Sequence, residues 1–472
     1  MLGDKLHEEC AVFGVNVNNQ EAGGITYNGL LSLQHRGQEG AGIAVMAGHT
    51  IMLHKDVGLV SEVFTSDVLK NIPKSNLAVG HTRYSTTGNN TKENVQPFVT
   101  EYLTGRIATA HNGNITNAKA LKDKLENCGL NFVASSDSEV ISSLIAYHSL
   151  ENKDVLKGVI EATRQIKGAF SLIVLSSENK LIAVRDPHGF RPLCIGKNDY
   201  GMAVASESCA IDTCGFKFVR DVLPGEVVVI ENGEITYSSV DLKTDADKQS
   251  MCIFEYVYFA RTDSIIDNLS VYEARCNMGR MLARECPVEA DVVCGVPDSG
   301  LEAAIGYAAE SGIPLATAFA KNKYIGRSFI FPSQAQRENA VKLKLNPLKV
   351  NVEGKRVVLI DDSIVRGTTC AKIVKTLKDA GAKEIHMRIS SPPFKHTCHF
   401  GTDIDSEENL IANKYTISEI EKQIGADSLA YISVEGLKKA CEKAKVPFCT
   451  RCFTGYEDKE VENLRKSQLE ED

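Results

Sequence analysis

One stretch, Val357–Thr369, reading VVLIDDSIVRGTT, constrains the fold of this chain more than any other. It opens on the apolar run Val357–Ile360, which predicts a strand buried on both faces. Asp361 and Asp362 follow at once, and then Gly367, Thr368 and Thr369. The next segment, CAKIVKTLKDAGA, carries Ile373, Val374 and Leu377 at helical spacing and stops at Gly381. A strand, an acidic pair, a small-residue loop and a helix together make a layout for phosphate. The loop amides and the helix N-terminus offer N–H donors and partial positive charge to an anion. The acidic pair can face ribose hydroxyls or a divalent ion. The plainer alternative is a strand–loop–helix crossover with a solvated acidic end.

This order of parts resembles the loop that binds phosphoribosyl pyrophosphate in type I phosphoribosyltransferases. The resemblance implies that Asp361, Asp362, Ser363, Ile364, Val365, Arg366, Gly367, Thr368 and Thr369 bind that substrate. It also implies Mg²⁺ held near Ser299, Asp361 and Asp362. Upstream, DVVCGVPDSG reads as a buried strand and a tight loop, Val296–Gly300, which the same resemblance makes the pyrophosphate loop. KNKYIGRSFI then brings Lys321, Lys323 and Arg327 around Gly326. Such a segment is either an exposed basic loop or, by the resemblance, a flap that closes over the diphosphate and shields activated ribose from water. Arg337, Lys342 and Lys344 continue the basic character and resemble a nucleotide-sensing region.

A chain of 472 residues has room for two domains, each with its own core. The largely polar ten-residue stretch DLKTDADKQS marks the boundary between them. In the N-terminal half, CAVFGVNV reads as a strand starting at Cys10. By composition alone Cys10 is a core thiol. TYNGLLSLQHRGQEGAGIAVM gives a helix, a Gly-rich loop and a strand. LAVGHTRYSTTG is a strand ending at His81 and Arg83, and RIATAHNGNITN another ending at His111, Asn112 and Gly113. SSDSEVISSLIAYHSL places Asp137 beside an N-cap. Polar groups thus recur at strand ends, where a sheet exposes a site. LPGEVVVIENGEITY predicts a hairpin turning at Asn232-Gly233.

ECAVFGV, LQHRGQEGAGI, GHTRYSTTG, HNGNITN and SSDSE, in that order, resemble the glutaminase domain of the N-terminal-nucleophile amidotransferases. The resemblance implies a four-layer αββα sandwich with two antiparallel sheets between helices. It makes Cys10 the nucleophile, whose thiolate would attack the glutamine side-chain carbonyl and form a thioester. Loss of a propeptide, residues 1–9, would give Cys10 a free α-amine, whose reference pKa of about 7.7–8.0 suits a general base. Asn112 and the N–H of Gly113 resemble an oxyanion hole. Arg83 resembles the fork for the α-carboxylate of glutamine and Asp137 the partner of its α-ammonium. His35, His81 and His111 read equally well as site groups or as structural polar residues.

The 14 cysteines are scattered, and no secretory signal or membrane-length apolar run is visible, so a reducing cytoplasm is expected. PFCTRCFTG carries Cys449 and Cys452 as CxxC, which is ambiguous among zinc, redox and iron–sulfur roles. A resemblance to the cluster-containing branch of the amidotransferases adds Cys252 and Cys398 and implies a structural [4Fe–4S] cluster. Zinc on the same thiols is the chemical rival.

Both halves together resemble the glutamine phosphoribosylpyrophosphate amidotransferases, from about residue 8 to 455. The expected organisation is therefore an α/β two-domain chain. Residues 1–9 are a propeptide and 10–240 a glutaminase domain. Residues 251–455 are a type I phosphoribosyltransferase domain with a mainly parallel sheet, and 456–472 a charged tail. The resemblance implies 5-phosphoribosylamine, glutamate and pyrophosphate as products, the first committed step of purine synthesis. It also implies purine nucleotides as feedback inhibitors and a homotetramer. A formal net charge of −8 argues against nucleic-acid binding, and no membrane partner is expected. An amino-sugar synthase would share the glutaminase half but needs an isomerase region where Val357–Thr369 stands. A non-catalytic sensor of phosphoribosyl pyrophosphate would have no use for Cys10.

Overall fold

The computed structural model describes residues 10–18, 21–84, 90–242, 249–322, 345–404 and 406–455. The leader 1–9, Lys323, Arg327, Arg337, Lys342, Lys344 and the tail lie outside the described residues.

Among the described residues the N-terminal half is built on thirteen strands. They are β1 (Ala11–Val17), β2 (Gly40–Ala47), β3 (Thr50–Val57), β4 (Leu77–Arg83), β5 (Phe98–Tyr102), β6 (Gly105–Ile115) and β7 (Gly168–Ser176). There follow β8 (Lys180–Arg185), β9 (Cys194–Asn198), β10 (Gly201–Ala205), β11 (Lys217–Asp221), β12 (Glu226–Glu231) and β13 (Glu234–Val240). One antiparallel sheet runs β11-β9-β10-β1-β4-β2-β3 and the other β13-β12-β8-β7-β6-β5.

Strand periodicity sorts the side chains into layers. Phe13, Val15 and Val17 of β1 pack outward with Leu30 of the helix Ala22–Ser32. Val12, just before Phe13, faces inward with Leu77, Val79, Ile173 and Leu175. On β7 the same split holds: Phe170, Leu172 and Val174 meet Ile141, Leu144 and Ile145 of the helix Asp137–Asn152. Helix, sheet, sheet, helix is the αββα sandwich that the sequence led us to expect. Each fully buried Leu, Ile, Val or Phe contributes about 1.5–3 kcal/mol.

One boundary differs from the reading. β6 does not end at Gly113; its ladder with β7 runs two residues further, through Asn114↔Ala169 to Ile115↔Gly168. The pairing offered by β7 outweighs the turn preference of Asn and Gly.

The C-terminal half has a four-stranded parallel sheet in the order Val292–Gly295, Arg356–Asp361, Glu384–Ile389, Ser428–Tyr431. Its central strand is covered on both faces. Val357 and Leu359 pack with Ile373, Val374 and Leu377 of the helix Thr368–Asp379. Val358 and Ile360 pack with Met278, Leu282, Ala303 and Tyr307 of the helices Val271–Glu285 and Leu301–Ser311. The short strand Met251–Cys252 pairs in parallel with Phe448–Cys449, so the chain's end returns to the domain joint. Among the described residues no helix is long and apolar enough to cross a membrane.

Candidate active sites

The first site gathers at the ends of β1, β4 and β6. Cys10 precedes β1, and its thiol donates to the carbonyl of Tyr84, just past β4, at 3.3 Å. Arg83, the last residue of β4, is buried, and its Nη1 donates to Asn94 O at 2.8 Å. Asn94 in turn accepts from Ser135 N–H at 3.0 Å. Ser136 caps the helix Asp137–Asn152, and Asp137 is its first residue. Arg83 is thereby tied to the loop that carries Asp137. Burial lowers the pKa of the Arg83 guanidinium, opposed by the nearby Cys10, Glu39 and Asp137. Nucleophile candidate, cation and carboxylate therefore share one pocket of charge.

Asp137 is buried and accepts from Ile115 N–H at 3.1 Å and Ser138 Oγ at 3.2 Å. Asn112 is 1% exposed and its side-chain Nδ2 has no hydrogen-bond partner, as a donor awaiting a ligand would be. Gly113 is the next residue on the same strand.

The three histidines divide differently. His81 Nε2 bonds the carbonyl of His111 at 3.0 Å and His111 Nδ1 meets Ser138 Oγ at 3.0 Å, both buried. Burial holds both imidazoles below their ordinary pKa, with Asp137 partly opposing at His111. His81 is a neutral link between the two sheets, and His111 one between its sheet and the helix Asp137–Asn152. His35 bonds Glu207 at 2.7 Å.

The second site lies at the C-terminal end of the parallel sheet, where open α/β sheets bind ligands. Asp361 and Asp362 are both buried. Asp362 accepts from the hydroxyls of Ser299 and Ser363, joining the two loops. Asp361 Oδ1 accepts the N–H of Asp362 at 3.0 Å. Ile364 and Val365 turn their side chains into the core on opposite sides of the sheet, so only their backbone can meet a ligand. Arg366 is half-buried, and Thr368 is exposed at the start of its helix. Gly367, at φ +85°, turns the loop into that helix; a Cβ there would approach Ile411 Cδ1 to 2.7 Å. The helix has no acidic residue in its first turn, which suits an anion. Lys321 pairs with Asp298 across the mouth of the loop.

The four cysteines come from distant segments to one place. Cys252 and Cys449 are opposite each other in the parallel pair. Burial pushes the Cys452 thiol well up, reinforced by Cys449, Cys252 and Cys398 nearby. Cys449 is raised by burial too, with Arg451 opposing. Among the described residues no set of three or more His, Cys, Asp or Glu side chains is arranged to hold a metal ion. The donor set itself, four thiols without a carboxylate, is chemically suited to iron–sulfur or zinc. It abuts the glutaminase half, where Phe190 stacks on Phe400 at 4.4 Å and its carbonyl accepts from Cys252 N–H at 3.2 Å.

The sequence reading gave no role to the charges buried between the halves. Arg36 forks onto Glu207 and Glu255, and Arg185 onto Asp267 at 3.1 and 3.0 Å. Arg36 was visible inside LQHRGQEG, but its partner Glu255 stands 219 positions away.

Comparison with known proteins covers both halves. A glutamine amidotransferase domain family matches residues 81–213 and a phosphoribosyl transferase domain family matches residues 280–391. The amidophosphoribosyltransferase of Archaeoglobus fulgidus is 48% identical over 448 residues, 94% of this chain and 97% of that one. That of Bacillus subtilis is 45% identical over 476 residues, covering 98% of each. Among solved structures, the glutamine phosphoribosylpyrophosphate amidotransferase from B. subtilis complexed with ADP and GMP superposes with a TM-score of 0.86 at 44% identity, covering 97% of this chain and 98% of that one. A structure described as the allosteric regulatory enzyme of purine biosynthesis superposes at 0.87, also at 44% identity and covering 97% of each chain.

Proposed function

The chain belongs to the amidophosphoribosyltransferase family, and from that premise we propose that its two sites perform one reaction in two halves. Glutamine is hydrolysed at Cys10, and the ammonia released attacks C1 of phosphoribosyl pyrophosphate. The products are 5-phosphoribosylamine, glutamate and pyrophosphate, the first committed step of purine biosynthesis. The observation that carries the reading is the convergence of Cys10, Arg83, Asn112 and Asp137 at one end of a sandwich, joined to a domain whose Ser299 and Asp362 are hydrogen-bonded across two phosphate-type loops.

In the first half-reaction Arg83 and Asp137 hold the α-carboxylate and α-ammonium of glutamine. The Cys10 sulfur attacks the side-chain carbonyl. Removal of residues 1–9 would expose its α-amine to take the thiol proton and later deliver it to the leaving amide nitrogen, which departs as ammonia. Asn112 Nδ2 and Gly113 N–H stabilise the oxyanion. Water then releases glutamate from the thioester.

In the second, the loop Ser363–Thr369 holds the 5′-phosphate at the helix N-terminus. Asp361 and Asp362 orient the ribose hydroxyls, and Lys321, with Lys323 and Arg327, closes over the diphosphate. Ser299, Asp361 and Asp362 would hold Mg²⁺, which supplies charge neutralisation to the diphosphate when bound. Cys252, Cys398, Cys449 and Cys452 would hold a [4Fe–4S] cluster as a structural staple. A cytoplasmic location, a homotetramer and inhibition by purine nucleotides belong to the same proposal.

The test is Cys10→Ala supplied with ammonium in place of glutamine. Glutamine-dependent synthesis is lost and ammonia-dependent synthesis persists. A variant inactive with both, yet folded, would sink the two-site scheme.

A further inference from the structure

Lys55 lies on the edge strand β3, opposite Gly42 of β2. A lysine on an edge strand ordinarily carries its ammonium out into water. Lys55 is half-buried instead. Its Nζ donates to Glu93 O at 3.2 Å and to Val95 O, and it stands 4.7 Å from the centre of the Phe98 ring.

Between those two acceptors lies Asn94, whose carbonyl accepts from Arg83 Nη1 at 2.8 Å. Three successive carbonyls, those of Glu93, Asn94 and Val95, therefore accept from Lys55, Arg83 and Lys55 again. The next residue on β3, Asp56, pairs with Lys92 at 3.0 Å. Gly42 leaves room for this arrangement: a Cβ there would collide with Gln96 O and stand 2.8 Å from Lys55 Cβ. Lys55 and Asp56 thus fasten segment 92–96 to the sheet that carries β1 and β4.

That segment touches each part of the glutamine site. The Asn94 side chain accepts from Ser135 N–H at 3.0 Å and donates to Ser135 Oγ at 3.1 Å, two residues before Asp137. The Gln96 side chain accepts from His111 N–H at 2.7 Å and donates to His111 O at 3.2 Å, one residue before Asn112. Arg83 Nη1, held by Asn94 O, takes its orientation from the same backbone.

The charges point the same way. Burial pushes the Lys55 ammonium down to about 8; Arg83 and Lys92 add to the shift, while Glu139 on the helix Asp137–Asn152 and Glu93 oppose it. His81, the neighbouring titratable group on β4, is kept neutral by burial. Two cations this close disfavour each other, and an anion bound between them removes the conflict.

We propose that Lys55 is a positioning residue for glutamine: it fixes segment 92–96 so that Arg83 presents its guanidinium to the α-carboxylate, and its own charge adds to the attraction. The inference rests on the reading of Arg83 given above.

KM for glutamine is measured by glutamine hydrolysis on the full chain, with ammonia-dependent synthesis as the control. Lys55→Met keeps the reach of the side chain without its charge or donors. Its KM rises about tenfold, as expected for losing hydrogen bonds from a charged donor. Its kcat changes less than about twofold, and its ammonia-dependent rate is native. Lys55→Arg keeps donors and charge at every pH assayed. The ratio of the native KM to that of Lys55→Arg therefore rises through about pH 8. It approaches about tenfold one unit higher, where about a tenth of the lysine is protonated. Titrations of glutamine's α-ammonium and of the Cys10 amine are common to both proteins and cancel in the ratio. A folded Lys55→Met with native KM, whatever its urea midpoint, marks a merely structural lysine and overturns the proposal. A fall in kcat with unchanged KM, or a ratio flat with pH, overturns it too. Should Lys55→Met fail to fold, the ratio decides alone. An unchanged KM in Arg83→Ala would instead sink the glutamine-site reading itself, before Lys55 is touched.

Discussion

Replacing Asn112 by Ala tests the proposed oxyanion donor apart from everything else in the glutaminase half. Asn112 is 1% exposed, and its Nδ2 makes no hydrogen bond within the protein. A buried, unsatisfied polar group costs about 1–3 kcal/mol, so the native fold holds this amide at a penalty. The compensation arrives when the Cys10 sulfur adds to the glutamine carbonyl and its oxygen becomes an anion. Losing one such donor lowers kcat by about 10²–10³, or roughly 2.7–4 kcal/mol of transition-state stabilisation. The folded protein gives up no hydrogen bond from Nδ2 and is relieved of its penalty, so the urea midpoint should not fall and is expected to rise. The assay is steady-state glutamine hydrolysis, with ammonia-dependent synthesis on the same preparation as the internal control. The expected result is a fall in kcat, little change in KM for glutamine, and a native ammonia-dependent rate. A kcat within about threefold of native would refute the oxyanion assignment. Equal losses in both reactions would mean general collapse, not a missing donor.

Three further perturbations probe other parts of the molecule. Burial holds His81 well below the ordinary histidine pKa and His111 below it. The unfolded chain therefore takes up protons first as pH drops. Stability from this pair is full above about pH 6.5 and is lost below it, toward the depressed folded values, by at most about 1.4 kcal/mol per pH unit for each histidine. His81→Gln should flatten the acid side of a plot of urea midpoint against pH, and an unchanged slope would count against neutral burial. Gly367→Ala forces a Cβ onto a residue at φ +85° and within 2.7 Å of Ile411 Cδ1. It should raise KM for phosphoribosyl pyrophosphate about tenfold, equivalent to about 1.4 kcal/mol, while glutamine hydrolysis without that substrate is spared. Cys449→Ser should abolish iron and labile sulfide in anaerobically purified protein; stoichiometric zinc with no sulfide in the native chain would replace the cluster by a zinc site.

What could be read from the chain was what lies within a dozen or so neighbouring residues. The central strand, Arg356–Asp361, was legible because burial on both faces leaves an unbroken apolar run, and its loop because Gly367 and the threonines follow immediately. The glutamine-site candidates were legible because each sits in its own short polar motif at the edge of a hydrophobic strand. The end of β6 was read two residues short because the ladder with β7, which carries it on to Ile115, is set by a segment far along the chain. Arg36 and Glu255 were opaque for the same reason. Each looks like an ordinary surface charge until a residue 219 positions away supplies its counter-ion.

The two halves each own a hydrophobic core, and the apolar cluster that bridges them near the cysteines is small: Ala169, Phe190 and Phe400, with Cys398 and Cys449 at its edge. The rest of the joint is largely directional. Arg185 holds Asp267, Asn114 donates to His399 O at 2.8 Å, and Arg191 donates to Phe400 O at 2.6 Å. Apolar contact alone would tolerate sliding, whereas hydrogen bonds between buried groups penalise any departure from one geometry. A fixed angle is what a shared intermediate demands. Ammonia in neutral water is mostly ammonium and no nucleophile, so it must pass between the sites without meeting solvent. The polar joint is thus better understood as holding two chemistries in register than as adding to stability. It also accounts for a chain that spends buried charge where leucines would have sufficed.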